Sequence, residues 1–568
     1  MHKLVEPYSW IFLRLTSSSL KIFQAIPNTT ITLPKYGSFS VNLLLSRPYY
    51  LTYELLDRLP TQKNSLLRVV PGLEINSDII AEEDAALNLE QATIEKGVES
   101  EDKGSSSRPL MRSNREIVDS ASRQTLTMAE IEDLKKMGTD AGKVIIEKLM
   151  SSHIGIEQKT SFSLAKYKLL KTKKYLKRFT VLPVDVPLLA QWMMEEKDAT
   201  KILEIREEML ALIGSWANVH FSFMSSSNTN TSDEMKMSGR WLVVDETGGL
   251  LTASIAERMG ILYPDSYSQK PESKNHDEVN DSMAMARTNT ITLIHNNTQP
   301  NLSLLKYFSF LSDQQCHNFD SPLATNLHLI NWLQLLTPDQ DATYTSPIPQ
   351  LDAVELSSMK SSRRAAYYRK LRRWKRTQFV ITETLRGGFD GLAVVSQMDP
   401  VSLLKPLLPL LRSGAQVCIY SPYIEPLVEL ADLFSTSRRT AFVQSVPIGL
   451  EIFKSAQESS SIADTPIKSK FQLSQIENCC TSSVDFPLNP TLLLNSTVQS
   501  ARIREWQVLP GRTHPVMTGR GGAEGYLFTG TKVLPAQGRV ESRGKFSRKR
   551  AVVEEPIQIK DKRLKSVE

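Results

Sequence analysis

The sequence predicts an α/β chain: a small antiparallel β-barrel at the N-terminus, then a largely parallel sheet covered by helices on both faces. Three observations carry this reading. Short β-branched and aromatic runs punctuated by Gly and Pro fill residues 8–57, strand-like and helical segments alternate through the second half, and polar stretches interrupt both. The expected divisions are the barrel over residues 1–80, an acidic flexible linker over 81–124 and a helical, basic connecting segment over 125–190. The large α/β domain follows over 191–540, with polar insertions near 225–238, 264–289, 338–376 and 455–500, and a basic flexible tail over 541–568 ends the chain.

In the barrel, Trp10–Leu15, Leu20–Ala25, Thr29–Leu33 and Phe39–Val41 read as strands, a density of breakers and β-branched residues that suits a helix poorly. Residues 81–124 are rich in acids and serine and lack large apolar groups, as a linker does. Order returns where Thr127 and Glu130 form a capping box flanked by Leu126 and Ile131, predicting a helix that ends near Met137–Gly138 and a second over Ala141–Met150. Further on, Trp241–Val244, Ile291–His295, Leu392–Ser396, Gln416–Ser421 and Thr440–Val446 read as strands. Leu250–Met259, Leu302–Phe308, Val401–Leu411 and Glu425–Phe434 read as helices between them. Near the C-terminus, the glycines from Gly519 to Gly525 and the strand Leu527–Val533 suggest a hairpin at the edge of the sheet.

Bulk properties exclude several classes. The hydrophobic fraction is 41% and the net charge only +6, but the charge is uneven, acidic over Glu82–Asp102 and basic near 166–178, 360–376 and 543–550. The four cysteines form no C-x-x-C pair and the eight histidines no metal-ligand spacing, so no metal site is expected, nor a disulfide framework. No stretch reaches 18 consecutive apolar residues, and the N-terminus does not read as a signal sequence, so a soluble intracellular protein with no membrane partner is expected. No serine sits in G-x-S-x-G, and no acid–base constellation stands out, so no catalytic residue is assigned.

Two kinds of segment carry chemistry. The loop Asp245-Glu246-Thr247-Gly248-Gly249-Leu250 lies between a strand and a helix, where a cofactor loop needs glycines for a tight turn and close backbone approach. Its glycines are adjacent, and Thr247 stands where a methyltransferase-like E/D-x-G-x-G loop has its first glycine. A plain strand-to-helix turn satisfies the same residues, so the loop reads as degenerate and no cofactor is assigned to it. Lys166–Arg178 holds seven cations and no acid, among them Lys171, Lys173, Lys174, Lys177 and Arg178. Lys360–Arg376 holds Arg363, Arg364, Arg369, Lys370, Arg372 and Arg373 with Tyr367, Tyr368 and Trp374 interleaved. Such cations add salt-dependent affinity for phosphates, and the aromatic rings are candidates for stacking on unpaired bases. A solvated lysine face, a protein contact or a nuclear targeting signal compete with RNA contact. Arg512 and His514, in a Pro- and Gly-bounded turn, are further candidates to face RNA or a partner.

Several segments together resemble one family. They are Lys35-Tyr36-Gly37-Ser38-Phe39, Leu51-Thr52-Tyr53-Glu54, Gln124–Thr127 with Ile131–Leu134, Lys173-Lys174-Tyr175-Leu176-Lys177-Arg178-Phe179-Thr180, and Leu509-Pro510-Gly511-Arg512-Thr513-His514-Pro515. In this order they resemble the non-catalytic subunits of the eukaryotic tRNA (adenine-N1) methyltransferase that modifies the T-loop adenine. The resemblance implies an N-terminal β-barrel and a C-terminal Rossmann-like methyltransferase fold whose degenerate cofactor loop is typical of such subunits. It further implies tRNA as ligand and a catalytic partner that binds S-adenosylmethionine, with two copies of each subunit in a nuclear heterotetramer. The basic clusters Arg543–Arg550 and Lys560–Lys565 suit nuclear import. An active S-adenosylmethionine-dependent RNA methyltransferase using Asp245, Gly248 and Gly249, and an RNA-binding translation factor without a methylation role, are the alternatives.

Overall fold

A computed structural model describes residues 4–34, 36–56, 64–74, 125–136, 141–153, 161–223, 239–263, 285–310, 322–349, 351–445, 485–504, 506–509, 512–516 and 524–534. The expected linker over 81–124, the insertion 225–238, most of 264–289 and 455–500, the glycines Gly519–Gly522 and the basic tail lie outside those residues.

The N-terminal strands form where the alternation predicts: β1 (Trp10–Leu15), β2 (Leu20–Gln24), β3 (Thr30–Leu33) and β4 (Gly37–Ser40), followed by β5 (Thr52–Leu55) and β6 (Leu67–Val69). Their sheet gains a strand from far along the chain. β7 (Arg178–Pro183), in a stretch expected to belong to the connecting segment, lies at the centre of the order β2-β1-β7-β5-β6. The five strands do not close into the expected barrel, because β2 and β6 remain edges and β3–β4 form their own hairpin. Successive side chains of a strand point to opposite faces, and here both faces are dry. Ile11 and Leu13 join Phe39, Tyr53 and Phe179 in one core, whereas Phe12 and Leu182 join Leu189 and Trp192 in the core of the large domain. Phe179 stacks on Phe39 at 5.1 Å and on Tyr53 at 5.7 Å.

Between β6 and β7 lie the helices Met128–Lys136, Ala141–Ser151 and Ser161–Tyr175, the first two joined through Ile131, Leu134, Ile145 and Leu149. The capping box is present: Thr127 N donates to Glu130 at 2.8 Å and Glu130 N to Thr127 Oγ1 at 3.3 Å.

The large sheet comprises β8 (Arg240–Asp245), β9 (Thr290–His295), β10 (Leu327–Asn331), β11 (Phe389–Val395), β12 (Leu411–Ser421) and two late antiparallel strands, β13 (Leu493–Gln499) and β16 (Tyr526–Lys532). Its order is β10-β9-β8-β11-β12-β16-β13, the first five parallel. Trp241, Val243 and Leu293 face the helices Val186–Glu196, Glu207–Trp216 and Leu250–Arg258 on one side. Leu242, Val244 and Leu392 face the helices Ser361–Leu385, Pro400–Leu407 and Glu425–Leu433 on the other. Burial on both faces explains the continuous apolar strands.

Three expectations change. Thr440–Val446 is not a strand; residues Thr436–Ser445 continue as a helix directly after Glu425–Leu433, with Ser435 Oγ accepting from Arg438 N. The stretch 338–376 is no simple insertion, since it runs into the helix Ser361–Leu385, whose last turns bury Val380 and Ile381 in the core. Trp506–Leu509 and Arg512–Pro515 pair as a separate antiparallel ribbon, β14 with β15, and β16 sits inside the large sheet instead of at its edge. Gly525 enters β16 at φ +78°, where a Cβ would fall 2.6 Å from the Tyr420 ring.

Candidate nucleic-acid interface

The parallel sheet reverses direction of growth at β8, with β9 on one side and β11 on the other. Ligands of open α/β sheets lie in the crevice at that point, beyond the carboxyl ends of the strands. The loop Asp245–Leu250 occupies it. Gly248 and Gly249 take φ of +74° and +94°, and Gly249 caps the helix Leu250–Arg258, so the backbone turn is the one the sequence predicts. Its polar groups, however, are turned onto one another. The buried Asp245 carboxylate accepts from Thr247 N (2.8 Å), Thr247 Oγ1 (2.6 Å), Thr252 N (2.9 Å) and Thr252 Oγ1 (2.7 Å). The Thr247 hydroxyl oxygen also accepts from Leu251 N at 3.1 Å.

The open faces of the glycines are likewise taken by the chain itself. A Cβ on Gly248 would lie 3.2 Å from Ser303 Oγ, and one on Gly249 would lie 3.1 Å from Leu305 Cγ. Leu304 N donates to Gly248 O at 3.0 Å, fastening that segment over the turn. Across the crevice, Glu246 accepts from Asn296 Nδ2 at 2.9 Å and from Gln397 N at 2.8 Å, tying the ends of β9 and β11 together. β9 itself ends on His295 and Asn296, with no carboxylate to bind a ribose. The His295 ring donates from Nδ1 to Asn297 O (2.6 Å), and burial lowers its pKa. A cavity of about 480 Å³ remains beside Glu246, Thr247 and Gly248, roofed by Thr200, Lys201 and Leu203. These residues do not fit a nucleoside-type methyl donor: the Asp245 and Glu246 carboxylates that would hold it already have protein partners.

The two basic stretches part company in the structure. In the helix Ser161–Tyr175, Lys171 lies 4.8 Å over the Tyr167 ring and Lys174, exposed, 5.3 Å over Tyr175; Lys177 is half-buried. The side chains of Lys173 and of Arg512, the latter at the start of β15, lie outside the description. Arg178 is buried in β7, its guanidinium 2.7 Å from Glu74 and 3.6 Å from Glu54. Arg68 pairs with the same two carboxylates, and Lys143 reaches Glu74 at 2.9 Å. Hydrogen bonds from Arg68 and Lys143 hold the Glu74 carboxyl down at about 2. Arg178 is therefore part of an internal ion-pair network and is not placed to meet a phosphate, contrary to its reading as an RNA contact.

Lys360–Arg376 is different. From Ser361 to Gln378 the helix contains no acid, and Arg363, Arg364, Arg369, Lys370, Arg372, Arg373 and Lys375 are all exposed. Arg376 is the exception, half-buried and donating to the Leu327 carbonyl at 3.2 Å. The aromatic residues Tyr367, Tyr368 and Trp374 are half-buried. Tyr367 donates to Pro349 O at 3.1 Å and accepts from Leu351 N at 3.4 Å, Tyr368 packs edge-on against it, and the Trp374 indole nitrogen is buried.

Sequence reasoning missed Glu54, Glu74 and Glu246, the carboxylates that occupy Arg178 and close the crevice. One signal was present for Glu54: an acid inside the apolar strand Thr52–Leu55 requires a cationic partner once buried.

Among known proteins, the Gcd10p family matches residues 4–360, more than half of the chain. A protein of Aspergillus fumigatus described as tRNA (adenine(58)-N(1))-methyltransferase non-catalytic subunit trm6 is 43% identical, over 97% of this chain and 96% of its own length. The Aspergillus oryzae protein of the same description is 44% identical over the same shares, and that of Schizosaccharomyces pombe 27% identical over 96% of this chain and 95% of its own. The solved tRNA (m1A58) methyltransferase TrmI from Aquifex aeolicus aligns with 94% of this chain and 100% of its own at 9% identity and a TM-score of 0.34, too distant to carry an argument. With near-complete coverage at this identity, the chain belongs to the Gcd10p family.

Proposed function

We propose that this chain is the non-catalytic subunit of a tRNA (adenine(58)-N(1))-methyltransferase, holding tRNA while a homologous partner performs the chemistry. The observation that carries the reading is similarity at 43% identity along nearly the whole chain to a protein of that description. The loop at Asp245 supports it, because its carboxylate is occupied by Thr247 and Thr252 of the same turn and helix. Methylation at N1 acts on the Watson–Crick edge of adenine, which must leave its pairing before reaction. A large structured RNA must then be gripped mostly by shape and charge, a task for which the exposed cations of the helix Ser361–Leu385 are suited.

The finer reading takes S-adenosylmethionine as the partner's cofactor, two copies of each subunit as the assembly and the nucleus as the compartment. The sequence resemblance and the basic C-terminal clusters support these points. The competing reading, an active site in this chain, would have to use the cavity beside Gly248. Calorimetric titration of the isolated chain with S-adenosylmethionine decides between them: no heat of binding is expected, and methylation of tRNA only on adding the catalytic homologue. Stoichiometric micromolar donor binding, or activity of the chain alone, overturns the reading.

A further inference from the structure

The geometry points to the outer face of residues 363–375 as a reader of the phosphate backbone of base-paired RNA, one that does not touch the bases; the inference rests on the functional reading above. A helix with interleaved aromatic and basic residues suggests stacking on unpaired bases. The fold removes that option. Tyr367 is hydrogen-bonded to the 349–351 backbone, Tyr368 leans on it, and the Trp374 nitrogen is buried, so the rings are spent on holding the helix down.

What remains outside is charge on a rigid rod. Arg369, Arg372 and Arg373 stand at i, i+3 and i+4, one stripe of a helix face. The exposed Ala365 and Ala366 continue that stripe one turn earlier and leave it without bulk, so a phosphate backbone approaches the helix surface closely there. The rod is anchored at its far end by Val380 and Ile381 in the core of the large sheet, so the cations keep a fixed spacing. Arginine forks fit phosphate oxygens in pairs. Unpaired RNA is recognised chiefly by stacking and base-edge hydrogen bonds, whereas A-form stems are recognised by shape and by phosphate and 2′-hydroxyl contacts. A fixed cationic stripe whose flanking aromatic rings are half-buried and engaged within the protein matches the second mode.

The test compares the full-length chain with an Arg369→Gln/Arg372→Gln/Arg373→Gln variant, using fluorescence anisotropy over a salt series. The probes are an RNA duplex of about 16 base pairs, an unpaired RNA of equal length, and tRNA. The variant is expected to lose about tenfold or more in duplex affinity, with a salt slope shallower by about 2 to 3. Wild-type preference for the duplex over the unpaired strand is also expected. Undiminished duplex binding by the variant overturns the inference, as does a wild-type preference for the unpaired strand. If those results come with intact wild-type tRNA binding, the functional reading stands and only the helix assignment falls. If the wild-type chain binds neither duplex nor tRNA, both fall.

Discussion

The loop Asp245–Leu250 and the helix stretch 361–378 are the two features of this chain that most invite a ligand, and they differ in what their polar groups already touch. Every acceptor of Asp245 is filled from Thr247 and Thr252, and both Glu246 oxygens are held by Asn296 and Gln397. By contrast, the cations from Arg363 to Lys375 stand in solvent with no acid on their own helix before Glu383. Carboxylates already satisfied within the protein are architecture; exposed cations, even Arg369 whose Nε donates to Ala365 O at 3.4 Å, can exchange water and counterions for phosphate oxygens. Arg178 makes the same point inside one sequence run, since it belongs to a basic stretch yet behaves like the loop.

The largest expected effect separates Arg178 from the exposed arginines. Arg178→Ala leaves Glu54 and Glu74 without their buried partner and should lower stability by about 3–5 kcal/mol in chemical denaturation, with RNA affinity of the folded protein unchanged. A stable variant with weakened RNA binding would break the comparison.

Asp245→Ala strands buried donors of Thr247 and Thr252, and a loss of about 1–3 kcal/mol is expected by thermal unfolding. If instead stability holds and methylation by the assembled complex collapses, the loop has a chemical role. Glu74→Gln probes the network by pH. The Glu74 carboxyl sits at about 2 against an ordinary 4.5, so its contribution is full above about pH 5 and lost as pH falls towards 2. The wild-type advantage over the variant, about 1 kcal/mol at neutral pH for a partly exposed group, should close in acid; a difference that widens there contradicts the ion-pair assignment. The smallest effect belongs to Arg369→Gln. Stability should stay within about 0.5 kcal/mol, while the salt slope of tRNA binding falls by about 1.

Local features were legible in the sequence. The limits of β1 and the capping box at Thr127, the glycine turn at Gly248–Gly249 and the strands β8, β9 and β11 all follow from spacing and residue type. What stayed hidden depends on partners remote in the chain. Nothing near Arg178 says that Glu54 and Glu74 await it, and nothing near Tyr367 says that the 349–351 backbone will take its hydroxyl. The helix over Thr436–Ser445 escaped because β-branched residues are an equivocal local signal that neighbouring structure overrides. Likewise, the loop's degeneracy could be suspected from Thr247, but its closure by Ser303–Leu305 lies more than fifty residues away.

The position of β7 also governs the order in which the protein comes into being. Thr52 and Thr180 face each other across β5 and β7 although they lie 128 positions apart in the chain. During synthesis β1 and β5 emerge early, but their common neighbour does not, so Ile11, Leu13 and Tyr53 must wait for a strand still to be translated. The N-terminal sheet thus cannot complete until residue 183 has been made, still ahead of every strand of the large sheet, and it stays open to wrong pairings meanwhile. Pairing strands so far apart in the chain carries a closure cost that grows slowly with separation, about 0.6 kcal/mol for each doubling.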